Sequence, residues 1–551
     1  MPTGGGKSIT FQVPAIAMEG ICIVFTPLIA LMKDQVDALL KRGIRAAAIH
    51  SGLPHNEIIK ILDTAVLGGY RILYISPERL GSDLFITKIR RMKVSFFTVD
   101  EAHCICYWGY DFRPAYLQIK KIRAIKPEAP VLALTASATP EAVDDIQRQL
   151  AFRHENVYRM SFERKNISYM VLRTPLREKA LEHLLQNIPG TTIIYSRNRE
   201  NCHNLCEELC KKGYSATYYH AGLANSVKND RQNRWMTNEY RIMVATNAFG
   251  MGIDKPDVRL VVHMDLPDSL EAYYQEAGRA GRDGLQSYAV IPMDGKELQQ
   301  FHRRASQAYP EEEYVREVYE KVCFYLQMAV GDGLNVTREF NLEEFCRLFH
   351  THSIMSTNAL LLLNNAGYIK YTDEDDCCSR LKIIATRNEL YKAIDREKEP
   401  VINCILRHYG GIFVEYCYIE EALISQQTNI SSEIIYNMLK LLSRANIVDY
   451  IPRKRIGRIT FTRRRVDREE VSLPKNVYEE RKAKYQSRIK HMEMYCTSND
   501  KCRNRILLEY FGEKPDKDCG RCDVCEAASP DQLTESEYRQ IHDDIVRQFE
   551  N

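Results

Sequence analysis

Thr3-Gly4-Gly5-Gly6-Lys7-Ser8 sets three glycines directly ahead of a lysine and a hydroxyl. Glycines let successive backbone N–H groups turn inward around phosphate oxygens, while Lys7 can reach terminal phosphates and the Ser8 hydroxyl can ligate Mg2+. Gly4, Gly5, Gly6, Lys7 and Ser8 thus match the second half of a phosphate-binding loop. Alone, the triplet fits a glycine-rich turn equally well. A second motif decides: Val99-Asp100-Glu101-Ala102-His103 closes an apolar run with adjacent carboxylates. One of them can hold Mg2+ and the other can polarise an attacking water. Further on, Gln275-Glu276-Ala277-Gly278-Arg279-Ala280-Gly281-Arg282-Asp283 spaces Arg279 and Arg282 three apart, which suits one side of a helix. An arginine delivered from a second lobe stabilises charge on a γ-phosphate only when the lobes close. A solvated arginine face is the competing reading of that spacing.

Cys502, Cys519, Cys522 and Cys525 follow a C-x16-C-x2-C-x2-C pattern. Four thiolates suit a closed tetrahedral Zn2+ site that holds together a module too small for a core of its own. Cys496 lies six residues before the first of them. Cys202, Cys206 and Cys210 recur every four residues, as a buried stripe on one helix face would, and Cys377-Cys378 sits in an acidic loop without partner spacing. Arg453, Lys454, Arg455, Arg458, Arg463, Arg464 and Arg465 fall within thirteen residues that contain no acid. With β-prone Ile459-Thr460-Phe461-Thr462 beside them, they predict a basic hairpin over Ile447–Thr462 that contacts phosphates, with Ile456 near its tip as a wedge. A solvated basic turn is the alternative.

These residues need elements to position them. Apolar runs alternate with helical patterns up to about residue 295: Ile21–Thr26, Ile72–Ser76, Ser95–Val99 and Val131–Thr135, then Thr191–Ser196, Ala216–His220, Ile242–Thr246 and Leu260–Met264. That rhythm predicts two α/β lobes with parallel sheets, 1–150 and 151–300. The rest reads as helix-rich winged-helix-like units A (301–400) and B (401–475), a helical zinc module (476–530) and a tail (531–551). A chain of 551 residues exceeds one hydrophobic core. Its apolar fraction of 45% is ordinary, and no apolar run approaches a membrane span. The polar, glycine-rich start is unlike a signal peptide, so the 17 cysteines read as thiols and a metal site in a reducing compartment. A net charge of +3 requires any nucleic-acid surface to be local.

Together these motifs resemble the RecQ family of DNA helicases in superfamily 2. Thr26-Pro27-Leu28-Ile29-Ala30-Leu31-Met32-Lys33-Asp34-Gln35 is similar to motif Ia, and Ser76-Pro77-Glu78-Arg79-Leu80 to the next strand-contacting motif. Leu134–Thr139 is similar to motif III, and Ala245–Asp254 to motif V. Cys502–Glu513 resembles the family's zinc module, whose matching cysteines ligate the metal and leave Cys496 out. The resemblance implies two RecA-like lobes, ATP and Mg2+ as cofactors with Gln275 among the nucleotide contacts, and 3′ to 5′ unwinding of DNA in recombination and repair. It also implies DNA junctions as substrate, a single-stranded-DNA-binding protein as partner, and a nucleoid-associated place in the bacterial cytoplasm.

The family's aromatic-rich loop corresponds to Cys104-Ile105-Cys106-Tyr107-Trp108-Gly109-Tyr110-Asp111-Phe112-Arg113-Pro114. Trp108 and Phe112 can stack on bases and Arg113 can reach a phosphate, unless the two rings are ordinary core. Tyr107 stands where the family usually has Gln, and Tyr110 where it often has His. The zinc module follows the winged-helix-like region here, whereas familiar relatives have it first. The family's adenine-binding segment and central strand lie ahead of the phosphate loop, so the expectation is a truncation before that loop and an incomplete first sheet. A fragment that binds DNA through its C-terminal modules with little ATPase is the alternative to a working helicase. An RNA-remodelling motor fits the lobes but neither the aromatic loop nor the zinc module.

Overall fold

A computed structural model describes residues 5–50, 53, 55–106, 113–223, 225–250, 253, 255–372, 379–385, 390, 398–409, 412–413, 417–419, 421–428, 430–451 and 457–528. The chain divides into two units, residues 1–303 with 483–551, and residues 304–482.

In the first unit, β1 (Ile21–Phe25), β2 (Ala46–Ile49), β3 (Ile72–Ile75), β4 (Val94–Val99) and β5 (Val131–Ala133) form a sheet ordered β2-β3-β1-β4-β5. Every pair is parallel. Parallel strands must be joined by crossovers, and the helices Ile29–Lys41, His55–Val66 and Asp83–Arg91 supply them. Because helices cover both faces, β1 is apolar along its whole length. Ile21, Ile23 and Phe25 enter one core with Leu73, Ile75 and Phe97, while Cys22 and Val24 enter the other with Phe11, Met32 and Tyr74. Each large side chain enclosed this way contributes about 1.5–3 kcal/mol. β5 ends the sheet on one side, and a cavity of about 690 Å3 lined by Val131–Thr135, Ile146 and Phe152 runs beside it.

The second sheet contains β6 (Ile167–Arg173), β7 (Thr191–Tyr195), β8 (Ala216–Tyr219), β9 (Ile242–Ala245), β10 (Val258–His263) and β11 (Ser287–Met293). Its order is β6-β11-β10-β7-β9-β8, again all parallel. Two RecA-like parallel-sheet lobes are therefore present. The helices Glu479–Thr497, Arg503–Tyr510 and Asp523–Ala527 complete this unit with the four-cysteine cluster.

Among its described residues the second unit holds two three-stranded antiparallel sheets. One is β12 (Thr337–Phe340), β17 (Gly457–Phe461) and β13 (Ile369–Thr372), with β17 central. The other is β15 (Cys417–Ile419), β14 (Ser379–Ile383) and β16 (Val448–Ile451), with β14 central. The expected Ile447–Thr462 hairpin is not formed: β16 and β17, adjacent in sequence, belong to different sheets. Burial sends them apart. Val448 and Tyr450 pack with Leu381, Ile383 and Leu439, whereas Ile459 and Phe461 pack with Phe340, Phe345 and Ile369. The sheet of β14, β15 and β16 is thus an insertion between β13 and β17 of the other, and consecutive blocks split at residue 400 do not describe it.

Among the described residues no helix is long and apolar enough to cross a membrane.

Candidate active site and metal centre

The phosphate loop leads straight into the helix Lys7–Ala17. Gly6 takes the left-handed conformation at φ 78°, and a Cβ there would meet nothing within 4 Å, so backbone conformation rather than space favours glycine. A helix start leaves backbone N–H groups without intrahelical partners and carries a positive dipole end, which suits phosphate. Ser8 is half-buried in the first turn. Gly4 lies outside the described residues.

Pairing of β1 with β4 sets Phe25 opposite Val99, so Thr26 and Asp100 emerge together at the strands' carboxyl ends, where ligands of open α/β sheets bind. Thr26 Oγ1 donates to Asp100 Oδ2 at 3.5 Å, the Glu101 backbone N–H donates to Asp100 Oδ1 at 2.9 Å, and the Tyr116 hydroxyl donates to the Asp100 carbonyl at 3.0 Å. Lys7 Nζ is 3.2 Å from Glu101 Oε1. His103 Nδ1 lies 3.4 Å from Glu101 Oε2 and 3.0 Å from Thr135 Oγ1. Lys7, Asp100 and Glu101, ninety-odd residues apart in sequence, therefore share one site.

Its electrostatics separate the two acids. Burial, reinforced by the neighbouring Glu101 charge, pushes Asp100 up to about 6. Burial acts the same way on Glu101, but Lys7, His103 and Arg279 together outweigh it and leave Glu101 below its ordinary value. Glu101 therefore stays an anion, and its buried Oε2 accepts no hydrogen bond among the described residues.

Arg279 acts on Glu101 from the other lobe. It follows the helix Leu270–Ala277, which carries the half-buried Gln275 and is capped by Ser269 Oγ accepting from the Ala272 N–H at 3.2 Å. The two arginines do not share a helix face as their spacing suggested. The helix stops at Ala277, and Gly281 at φ 56° keeps residues 278–283 in a turn that buries Arg279 and half-buries Arg282. Gly250 makes room there, since a Cβ on it would lie 2.7 Å from Arg279 Nη2. Thr26, His103, Tyr116 and Thr135 belong to the site but were not expected among its functional side chains. The signal was available, because Thr26, His103 and Thr135 lie inside the quoted motifs.

The nucleic-acid expectations divide. Trp108, Phe112, Arg453, Lys454, Arg455 and Ile456 lie outside the described residues, as do Tyr107, Tyr110, Cys377 and Cys378. Arg113 is half-buried, with its N–H donating to the Cys104 carbonyl at 2.9 Å. Arg458 is exposed on β17, opposite Glu339 of β12 and Thr372 of β13. Arg463, though exposed, is tied to its own unit. It donates to the carbonyls of Gly367 and Ala366 at 2.7 and 2.9 Å and lies over the Tyr368 ring at 4.2 Å. Arg465 likewise donates to the Met328 carbonyl.

The four C-terminal sulfurs converge within 4.8 Å of one another. Cys502 to Cys522 is 3.9 Å and Cys519 to Cys525 is 4.0 Å, far beyond a disulfide. Tetrahedral zinc with Zn–S near 2.3 Å needs sulfurs about 3.8 Å apart, so the residues fit the metal. Backbone N–H groups of Cys519 and Cys525 donate to Cys502 Sγ and Cys522 Sγ at 3.3 and 3.4 Å, as turns wrapping thiolates do. Cys496 is buried outside the cluster. On the helix Arg199–Lys211, Cys202 and Cys206 are buried and Cys210 is exposed.

Comparison with known proteins agrees with this assembly. Residues 1–146 match the DEAD/DEAH box helicase model, 176–284 the helicase conserved C-terminal domain, 381–452 the RecQ helicase winged-helix domain of Bacteroidota, and 459–526 the RecQ zinc-binding domain. ATP-dependent DNA helicase RecQ of Bacillus subtilis is 45% identical over 293 residues, covering 53% of this chain and 50% of the relative. ATP-dependent helicase SGS1 of Saccharomyces cerevisiae is 34% identical over 421 residues, covering 73% of this chain and 28% of the relative. A crystal structure of the DUF1998 helicase MrfA bound to DNA is similar over 55% of this chain and 47% of its own, with a TM-score of 0.45 and 18% identity. The chain spans about half the length of the bacterial relatives it matches. With two helicase lobes, a winged-helix insertion and a four-cysteine zinc module in one chain, the protein belongs to the RecQ family.

Proposed function

We propose that this chain forms the motor of an ATP-dependent DNA helicase that unwinds 3′ to 5′ during recombination and repair. The observation that carries the reading is the convergence of Lys7, Asp100 and Glu101 with Arg279 from the second lobe. In this reading Gly4, Gly5, Gly6 and the first helical N–H groups cradle the phosphates of ATP, and Gln275 is a further nucleotide contact. Ser8 and Asp100 would hold Mg2+, which would supply positive charge to offset the charge developing on the phosphates. Glu101 accepts the hydrogen bond of the attacking water through Oε2, which lies 3.4 Å from His103 Nδ1 and accepts no hydrogen bond among the described residues. Arg279 and Arg282 approach the γ-phosphate as the lobes close, so hydrolysis and closure become one event. Trp108, Phe112 and Arg113 sense DNA beside the site, while Arg453, Lys454, Arg455 and Arg458 contact its backbone. Zn2+ on the four cysteines is structural. A single-stranded-DNA-binding protein and the nucleoid complete the proposed setting.

Steady-state ATPase with and without forked DNA tests this in the full-length protein. Lys7→Ala should lose nucleotide binding, whereas Glu101→Gln should retain binding and lose turnover by about a hundredfold or more. Turnover by Glu101→Gln at the parental rate would refute the assignment, and stimulation by RNA equal to that by DNA would refute the substrate.

A further inference from the structure

The turn that bears Arg279 and Arg282 is built on a third arginine, Arg164. Arg164 as a whole is only 9% exposed. Nη1 donates to the Gly278 carbonyl at 3.0 Å, and Nη2 to the carbonyls of Ala280 and Gly281 at 2.9 and 3.0 Å. These oxygens follow the end of the helix Leu270–Ala277 and have no next helical turn to accept from. A cation is favoured at that negative end of the helix dipole. Asn166 adds a second clamp, with Nδ2 donating to the carbonyls of Gly281 and Leu285 at 2.7 and 2.9 Å. A planar fork of five fixed donors can span three carbonyls, whereas an ammonium on a flexible stem cannot hold them in one plane.

Arg164 is held in its turn by the zinc module. Arg521 lies between Cys519 and Cys522, and donates to the backbone carbonyls of Arg164 and Ile167 at 3.2 and 3.3 Å. Glu513 accepts from the Phe162 N–H at 2.5 Å and from the Ser161 hydroxyl at 2.7 Å. Phe511 stacks on Phe162 with ring centres 4.6 Å apart, and the Tyr274 hydroxyl donates to the Phe162 carbonyl at 2.8 Å. Phe162, Tyr274, Leu508 and Phe511 form a small core of their own. The segment 161–167 is thus gripped on one side by the module around the four cysteines and on the other holds the arginine turn.

We infer that Arg164 is a positioning residue for Arg279 and Arg282, and that Arg521 of the zinc turn backs it, so that the metal site sets the alignment of charges against the γ-phosphate. The inference rests on the ATPase reading for its kinetic consequence, and on the hydrogen bonds above for its structural one. Misplacing a catalytic group by about 1 Å costs on the order of a hundredfold in rate.

The test uses full-length, zinc-loaded protein with Arg164→Lys, Arg164→Ala and Arg521→Met. Two readouts are taken: DNA-stimulated ATPase, resolved into kcat and KM, and backbone hydrogen exchange of the peptide spanning residues 278–284. Arg164→Ala should lower kcat by roughly tenfold to a hundredfold with KM for ATP within about twofold, Arg164→Lys should restore little of it, and Arg521→Met should shift kcat the same way by a smaller factor. Exchange in residues 278–284 should rise at least about tenfold in Arg164→Ala while the helix Lys7–Ala17 and zinc content stay at parental values. Unchanged exchange in 278–284 overturns the inference, and so does full recovery of kcat by Arg164→Lys. If Arg164→Ala does not fold, Arg521→Met and Arg164→Lys decide on the same criteria. A parental protein without ATPase refutes the proposed function instead, and looser exchange in the variants would then still uphold the positioning role.

Discussion

Asp523→Asn should loosen zinc by about two orders of magnitude. Arg503 is enclosed at 2% exposure, and its Nε and Nη2 meet Asp523 Oδ1 and Oδ2 at 3.0 and 2.8 Å, while Nη1 donates to the Tyr495 carbonyl. The pair joins the helix Arg503–Tyr510, which Cys502 precedes as N-cap, to the turn holding Cys522 and Cys525. Asparagine keeps the shape, removes the charge and turns one acceptor into a donor aimed at a guanidinium. Breaking a buried ion pair from one side costs about 3–5 kcal/mol. The Asp523 side chain is 19% exposed, so the lower end, about 3 kcal/mol, applies. Folding of so small a module is coupled to metal binding, and each 1.4 kcal/mol is about tenfold in affinity. Competition against a colorimetric chelator at neutral pH measures the effect. Zinc affinity within about threefold of the parent would refute the reasoning. Adding Arg503→Met to Asp523→Asn should recover much of the loss, because the stranded charge is then gone.

Gly250→Ala should slow ATP turnover with little change in melting, because its Cβ would press on the far end of Arg279 rather than on backbone. In DNA-binding titrations, Arg458→Ala should reduce the salt slope by about one ion, whereas Arg463→Ala should leave the slope alone and lower the thermal stability of residues 304–482. Asp283 offers a pH test: burial alone would raise it, but the Arg259 guanidinium 2.6 Å away and the Leu285 N–H hold it below the usual carboxylate range. The stabilisation is therefore complete above the unfolded carboxylate's ordinary value and lost as pH falls through the folded one. Thermal melts of Asp283→Asn should lie below the parent at neutral pH and converge with it in acid; a gap that persists in strong acid would contradict this.

How far residues announce their place depends on how local the cause is. β1 could be read directly, since a strand covered on both faces is continuously apolar, and β4 nearly so, with only Ser95 and Thr98 interrupting its apolar residues. β2 could not, because Ala46-Ala47-Ala48-Ile49 has the composition of a helix and is a strand only because it pairs with β3. The zinc ligands and Asp100-Glu101 were legible because their chemistry fixes both residue type and spacing. The insertion between β13 and β17 was not, because neighbouring strands usually pair and only the identity of two separate cores reverses that expectation. Arg164 gave no signal at all: its partners lie more than a hundred residues away, and they are backbone carbonyls, which every residue possesses.

Glu101 sits at φ 47° and ψ 47°, a conformation that side chains with a Cβ adopt at a cost of roughly 1–2 kcal/mol and that glycine or asparagine adopts readily. Durability and turnover therefore pull this one position in opposite directions. A library randomised at residue 101 and selected for surviving heat should drift toward glycine and asparagine, shedding the carboxylate as it hardens. Carrying glutamate there is the mark of a chain filtered by what it does rather than by how long it lasts.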